Sequence, residues 1–317
     1  MISIESLSEK LLKEKSVALF MHTRPDGDTI GSTVALKLAL KSKGINAEVF
    51  CCDKIPEKFC FLKSVKSVSD KFFGEYSAFV AVDCADLSRL GDFSELFKSH
   101  KNTYNVDHHV SNTLFAKINY VADNASNCEN VFELIKRMGI DVTEEVANLL
   151  ATGVITDTGN FSHKNVRAET LQNAGELVSL GADVNLIIYH TFKSQSKARA
   201  LLFGKVMSKI RYFLDDRFAV SSIFNKDLVD CGATPDETEG FIDFVMGIEC
   251  VEVGASIMEI SHNKYKISFR SKNADVNAVA GLFGGGGHTL ASGCQIAGEY
   301  EEVVDKITFA VSRYLQD

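Results

Sequence analysis

Short apolar runs that end on aspartate or histidine dominate the first half of this chain. Residues 16–21, Ser-Val-Ala-Leu-Phe-Met, run into His22-Thr23-Arg24-Pro25-Asp26-Gly27-Asp28; residues 78–82 run into Asp83; residues 104–106 run into Asp107-His108-His109. Each run has the length and apolar content of a buried strand. Between them lie helical stretches. Residues 29–43 carry Val34, Leu36, Leu38 and Leu40 and stop at Gly44, and residues 127–138, 143–155 and 167–179 read as further helices. A strand is also expected at residues 47–51. Strands alternating with helices predict an α/β fold with a doubly wound parallel sheet. Ligands in such sheets bind at the carboxyl ends of strands, which is where the acids and imidazoles stand.

The pattern changes after Gly181. Residues 183–202 are mixed helical and carry Lys193, Lys197 and Arg199, and we read them as a helical connector. Beyond it, residues 206–214 and 218–223 flank an Asp215-Asp216 turn, and residues 251–260 and 265–269 flank His262-Asn263. Helices are expected at residues 235–246 and 299–315. The expected organisation is a catalytic domain over residues 1–182, the connector, and a smaller α+β domain over residues 203–317.

The formal charge of −8 lacks the basic footprint that long nucleic acid requires. No apolar run reaches the length of a membrane span, and residues 1–15 lack the basic start and apolar core of a signal peptide. The eight cysteines show no paired CxxC spacing, a pattern that suits free thiols in a reducing cytoplasm.

Carboxylates and imidazoles are ligands for Mn²⁺, Fe²⁺ or Zn²⁺. Asp26 and Asp28, two residues apart in one loop, can reach different metals, with Pro25 setting the turn and Gly27 relaxing it. Taken alone, Asp-Gly-Asp is commonly just a helix cap; His22 and Pro25 argue against that here. Asp83 alone is more often an N-cap for the next helix than a ligand, and Asp86 and Arg89 after it read as supporting residues or a simple i,i+3 pair. Adjacent His108 and His109 point in different directions, so one can ligate metal while the other faces substrate, and Asp107 can orient a ring. Asp157, in Thr156-Asp157-Thr158-Gly159, is balanced between ligand and helix end. In the second domain Gly284-Gly285-Gly286-Gly287-His288 offers bare backbone N–H groups for an anion, with donors from His288 and Ser292. Its apolar flanks argue for an ordered loop. Arg270-Ser271-Lys272 closes a strand and suits a phosphate clamp; the alternative is a solvated strand end.

His22-x-x-Pro25-Asp26-x-Asp28-x-x-Gly31-Ser32, Asp83-x-x-Asp86-x-x-Arg89-x-Gly91, Asp107-His108-His109 and Thr156-Asp157-Thr158-Gly159 resemble the four signatures of the DHH phosphoesterase family. Gly284–Gly287 with His288, followed by Ala291-Ser292-Gly293, is similar to the DHHA1 substrate domain. The two-domain plan looks most like the bacterial nanoRNase and pAp-phosphatase branch. The resemblance implies two Mn²⁺ ions bridged by Asp83, one completed by His22 and Asp26, the other by Asp28, His108 and Asp157. It implies that His109 faces the scissile phosphate, with Asp83 and His109 the catalytic pair. Asp86, Arg89 and Asp107 would support the ligands, and Arg270, Ser271, Gly285, Gly286, Gly287, His288 and Ser292 would bind substrate. Thr289 stands where relatives often carry a basic residue.

The expected activity is hydrolysis of short oligoribonucleotides, of 3′-phosphoadenosine 5′-phosphate, or of both. Cleavage of cyclic di-AMP or linear pApA is the alternative, and a nucleotide sensor without turnover is a second. Oligomeric state is left open, a homodimer included.

Overall fold

The computed structural model describes residues 1–315; Gln316 and Asp317, the end of the expected second domain, lie outside the described residues. The chain divides into two compact units, Met1–Ser194 and the remainder from Gln195. The expected connector spans that division.

In the first unit the order is α1 (Ile4–Leu11), β1 (Ser16–Phe20), α2 (Gly27–Ser42), β2 (Asn46–Phe50), β3 (Val68–Ser69), β4 (Ala78–Val82), α3 (Ser94–Ser99), β5 (Thr103–Asp107), β6 (Ile118–Val121), α4 (Asn127–Arg137), α5 (Glu144–Asp157), α6 (Ala168–Ser179) and α7 (Val184–Ile188). The sheet order is β3-β2-β1-β4-β5-β6, with every neighbouring pair parallel. The strands are apolar on both faces because both faces are covered. Val17, Leu19, Val80 and Val106 pack with α2, α4 and α5, while Ala18, Phe20, Phe50 and Phe79 join an aromatic layer with Phe93 and Phe97. The chain leaves β1 toward β2 on one side and later returns through β4 toward β5 on the other. The switch point therefore lies between the carboxyl ends of β1 and β4, where open α/β sheets bind their ligands.

The second unit contains α8 (Lys197–Met207), β7 (Arg211–Phe213), β8 (Phe218–Ile223), α9 (Asn225–Cys231), α10 (Phe241–Met246), β9 (Val253–Ser261), β10 (Lys264–Ser271), α11 (Val276–Gly281), β11 (Gly286–His288), β12 (Ala291–Ala297) and α12 (Tyr300–Ser312). Its sheet runs β11-β12-β10-β9-β8-β7, antiparallel except for the β8–β9 pair. Three expectations need correction. The strand expected from residue 206 begins only at Arg211, because Leu202 and Val206, four apart and buried, hold α8 helical through Met207. The helix expected over residues 235–246 is broken at Gly240, whose φ is 80°. The glycine-rich segment is not only a loop: Gly286–His288 form an edge strand on β12.

Among the described residues no helix is long and apolar enough to cross a membrane, and all eight cysteines are free thiols.

Candidate metal centre

β1 ends at Phe20 and delivers the buried His22 to the sheet's carboxyl edge. The next turn is kinked by Arg24, a non-glycine residue at φ 53°, whose N–H is taken by the Asp53 carboxylate at 2.7 Å. Asp26 then caps α2, its Oδ1 accepting from the N–H groups of Asp28 and Thr29 at 3.1 Å each. Asp28 sits one residue into the helix and is buried. Its carboxylate faces the N-terminus of α4, accepting from Asn127 N–H at 2.6 Å and Cys128 N–H at 2.8 Å, so the orphan donors and positive end of that helix hold it. Asp83 follows β4 at φ 59° and is 2% exposed.

These side chains converge. His22 Nε2 lies 3.6 Å from Asp26 Oδ2 and 3.6 Å from Asp83 Oδ2. His108 Nε2 lies 3.5 Å from Asp83 Oδ1, 3.7 Å from Asp157 Oδ2 and 3.8 Å from Asp28 Oδ2. Two groups suited to a cation result, His22-Asp26-Asp83 and Asp28-His108-Asp157, and Asp83 also groups with His108 and His109. Asp83 thus presents one oxygen to each side.

Both imidazoles are set to offer Nε2. His22 Nδ1 donates to Thr23 O at 2.8 Å and His108 Nδ1 to Asn124 O at 3.0 Å, the arrangement that leaves the other nitrogen as an acceptor for metal. His109 differs. Its Nδ1 is 2.8 Å from Asp107 Oδ1, and Asp107 is itself held by Asn112 Nδ2 at 2.5 Å, which also donates to Asn105 Oδ1 at 2.7 Å. His109 is 40% exposed, so it is oriented from behind and open in front.

The electrostatics show an excess of negative charge. Burial works against charge on His22, but hydrogen bonds and charge from Asp26 and Asp83 outweigh it and hold its pKa at about 10. His108 is likewise buried yet pushed up to about 9 by Asp28 and Asp83. Burial, with Asp83 and Asp157 nearby, drives Asp28 well up; burial, against the pull of His108 and with Asp83 nearby, takes Asp157 to about 6. Asp83 Oδ1 is buried with no hydrogen-bond partner. A carboxylate oxygen left bare amid four aspartates is costly unless a cation meets it. The donor set and its charge therefore fit divalent ions with oxygen and nitrogen preference.

Several contributors carry no signal of their own in the sequence. Gly153 in α5 has no room for a side chain: a Cβ there would lie 2.6 Å from Asp28 Oδ1 and 2.2 Å from Cys128 Sγ. Asn105, Asn112 and Asn124 are loop or strand asparagines until the fold brings them to the histidines. Asp86 caps the 3₁₀ turn Leu87–Phe93, accepting from Ser88 N–H at 2.8 Å. Arg89 reaches the first segment through its carbonyl, which accepts from Thr23 N–H at 2.7 Å.

In the second unit Arg270 donates from Nη1 to Phe269 O at 3.0 Å. The Ser271 and Ser292 hydroxyls are used internally: Ser271 Oγ accepts from Asn273 and Ala274 N–H groups at 3.1 and 2.7 Å, and Ser292 Oγ donates to Val276 O at 2.5 Å. Gly285 and Gly287 are required by backbone approach, since a Cβ at either would fall within 2.2 Å of Gly293 O or 2.6 Å of Ala291 O, respectively. Gly286, Gly287 and His288 are exposed.

Comparison with known proteins agrees with this architecture. The DHH family N-terminal domain profile matches residues 16–154 and the DHHA1 domain profile residues 215–317. The chain is 30% identical over 313 residues, 95% of its length and 91% of the relative's, to the bifunctional oligoribonuclease and PAP phosphatase NrnA of Thermus thermophilus. An exopolyphosphatase-related protein from Bacteroides fragilis superposes with a TM-score of 0.86 at 27% identity, covering 98% of this chain and 96% of that one. RecJ from Thermus thermophilus in complex with Mn²⁺ shares the fold at a TM-score of 0.53 and 13% identity, covering 99% of this chain and 55% of that one. The chain belongs to the DHH phosphoesterase family and carries the DHHA1 domain.

Proposed function

We propose that this protein hydrolyses short oligoribonucleotides and 3′-phosphoadenosine 5′-phosphate, using two divalent metal ions, most readily Mn²⁺. The observation that carries the reading is the placement of Asp83, with one carboxylate oxygen toward His22 and the other toward His108. His22, Asp26 and Asp83 would hold one ion, and Asp28, His108, Asp157 and Asp83 the other. Such a pair, when bound, supplies Lewis acidity toward the phosphoryl oxygens and lowers the pKa of water.

The protein's own residues do the rest. His109 is kept in one orientation by Asp107, whose hydrogen bond raises its pKa, and its partly exposed ring has Nε2–H as the proton it can give. It donates that proton to a phosphoryl oxygen or to the departing oxygen. The N-terminus of α4 holds Asp28 so that it cannot swing when substrate charge arrives. In the second unit we assign substrate binding to Arg270, the Gly285–Gly287 backbone and His288. Ser271 and Ser292 shape that segment through their internal hydrogen bonds. The relative of 30% identity, named for oligoribonuclease and PAP phosphatase activity, supports this substrate class. The free thiols support a cytoplasmic location.

A substrate panel with added Mn²⁺, resolved by chromatography, tests the reading. Release of mononucleotides from two- to five-mers and of phosphate from 3′-phosphoadenosine 5′-phosphate is expected. Preference for pApA or cyclic di-AMP with neither of these cleaved would overturn it, as would binding of all of them without turnover.

A further inference from the structure

One segment, residues 124–128, touches two members of the Asp28-His108-Asp157 group and is joined to the third through Asn165. The Asn124 carbonyl receives His108 Nδ1 at 3.0 Å, and the N–H groups of Asn127 and Cys128 hold Asp28 at 2.6 and 2.8 Å. Asp157 is tied to the segment differently. It is the last residue of α5, where backbone carbonyls lack helical partners. Its side chain, at 31% exposure, is far more open than those of Asp28 and His108, at 1% and 12%. The Asp157 carbonyl is taken up by Asn165, whose Nδ2 lies 3.3 Å from it and 3.0 Å from the carbonyl of Ala125. His163 Nδ1 meets the same Asp157 oxygen at 3.2 Å. Both neighbours of the Asn165 nitrogen are carbonyl oxygens, so its amide has only one workable orientation. The consequence is a buried Asn165 Oδ1 with no partner. A group left unsatisfied in this way calls for an explanation, and the two donated bonds provide it.

We propose that Asn165 is a positioning residue for the second metal subsite, bridging the end of α5 to residues 124–128, with His163 as its weaker helper. The proposal rests on the two-metal reading above. It separates the two subsites, because nothing in this bridge touches His22 or Asp26.

The test is a Mn²⁺ titration by calorimetry on the full chain, with steady-state kinetics and melting temperature, for the wild type, Asn165→Leu and His163→Ala. Leucine removes the donor to the Ala125 and Asp157 carbonyls, so a purely structural Asn165 would lower the melting temperature and leave the metal sites untouched. The expected result is two Mn²⁺ equivalents in the wild type and, in Asn165→Leu, one equivalent retained and the other weakened by on the order of tenfold or more, the effect typical of residues that orient ligands. kcat falls with KM nearly constant, and excess Mn²⁺ restores much of it. His163→Ala, at an exposed position, shows the same change to a smaller degree and decides the matter if Asn165→Leu does not fold. Wild-type titration curves in a folded Asn165→Leu, or in His163→Ala when the leucine variant does not fold, overturn the proposal. A wild type that binds no Mn²⁺ and cleaves no substrate removes the two-metal reading itself, a result visible without either variant.

Discussion

Asp83 Oδ1 stands 3.5 Å from His108 Nε2 at the end of β4, buried and without a hydrogen-bond donor. Its other oxygen faces His22. Only a residue at the switch point between β1 and β4 can address segments that arrive from both halves of the sheet. The left-handed backbone at φ 59° is strain of the kind stored at functional sites.

Asp83→Ala should therefore abolish activity more completely than Asp26→Ala. Loss of Asp83 removes the shared ligand and leaves two cations facing one another, so the effect should exceed the roughly 10–100-fold expected for a residue that merely orients a ligand. Comparing kcat/KM and bound Mn²⁺ for both variants checks this; equal losses would count against a bridge.

Metal binding should release protons. In the metal-free protein the pKa values of about 10 for His22 and about 9 for His108 keep both imidazoles protonated at neutral pH. A metal requires their neutral form. Binding near pH 7 should thus release protons from both imidazoles, with Asp28, itself pushed well up, adding to them, and affinity should rise with pH until the histidine values are passed. Calorimetry in buffers of different ionisation enthalpy measures the number. A result of zero would mean the histidines are not ligands.

Asp107→Asn should shift the pH profile. Its carboxylate raises the pKa of His109, so protonated His109 persists to higher pH in the wild type and is lost as pH rises through that value. Without the carboxylate the alkaline limb of kcat should move to lower pH. His109→Ala should lower kcat by on the order of 10²–10⁴ and remove that limb. A pH profile unchanged in Asp107→Asn would refute the assignment.

Gly153→Ala should damage the centre without touching a ligand's identity. The added methyl would meet Asp28 Oδ1 and Cys128 Sγ inside ordinary contact distance, in a layer where α2, α4 and α5 pack closely. Overpacking of this kind costs about 1–3 kcal/mol. A lowered melting temperature together with weakened Mn²⁺ binding is expected, and wild-type values for both would show that the site can relax.

Arg270→Ala and Ser271→Ala should part company. Loss of a charge-assisted hydrogen bond to substrate phosphate, worth roughly 1.5–3 kcal/mol, should raise KM in Arg270→Ala with metal content unchanged. Ser271 Oγ accepts two backbone N–H groups after β10, so Ser271→Ala should reduce stability by about 1 kcal/mol and alter KM little. Kinetics and melting curves on both variants distinguish these outcomes.

The strands that carry the acids were legible because each is a continuous apolar run, and a run buried on both faces needs no alternation to be seen. Strand β6, with Asn119 inside its four residues, and the two-residue β3 had too little pattern to detect. Helix α1 stands where charged and apolar residues alternate, a stretch for which no element was expected. The glycine run was misleading for a physical reason. Glycine has little strand preference, and β11 forms because its backbone can approach β12 closely. The aspartates and histidines of the centre could be listed from the sequence, but Asn112, Asn124 and Asn165 could not. An asparagine in a loop ordinarily signals a turn, and its role here exists only once distant segments meet.

Whether Asp83 bridges two metal ions is tested by a crystal structure of the protein soaked in Mn²⁺, with anomalous scattering recorded at the manganese edge. Two anomalous peaks are expected, one on each side of the Asp83 carboxylate, the first contacted by His22 and Asp26 and the second by Asp28, His108 and Asp157. A single peak, or two peaks of which neither touches Asp83, would contradict it.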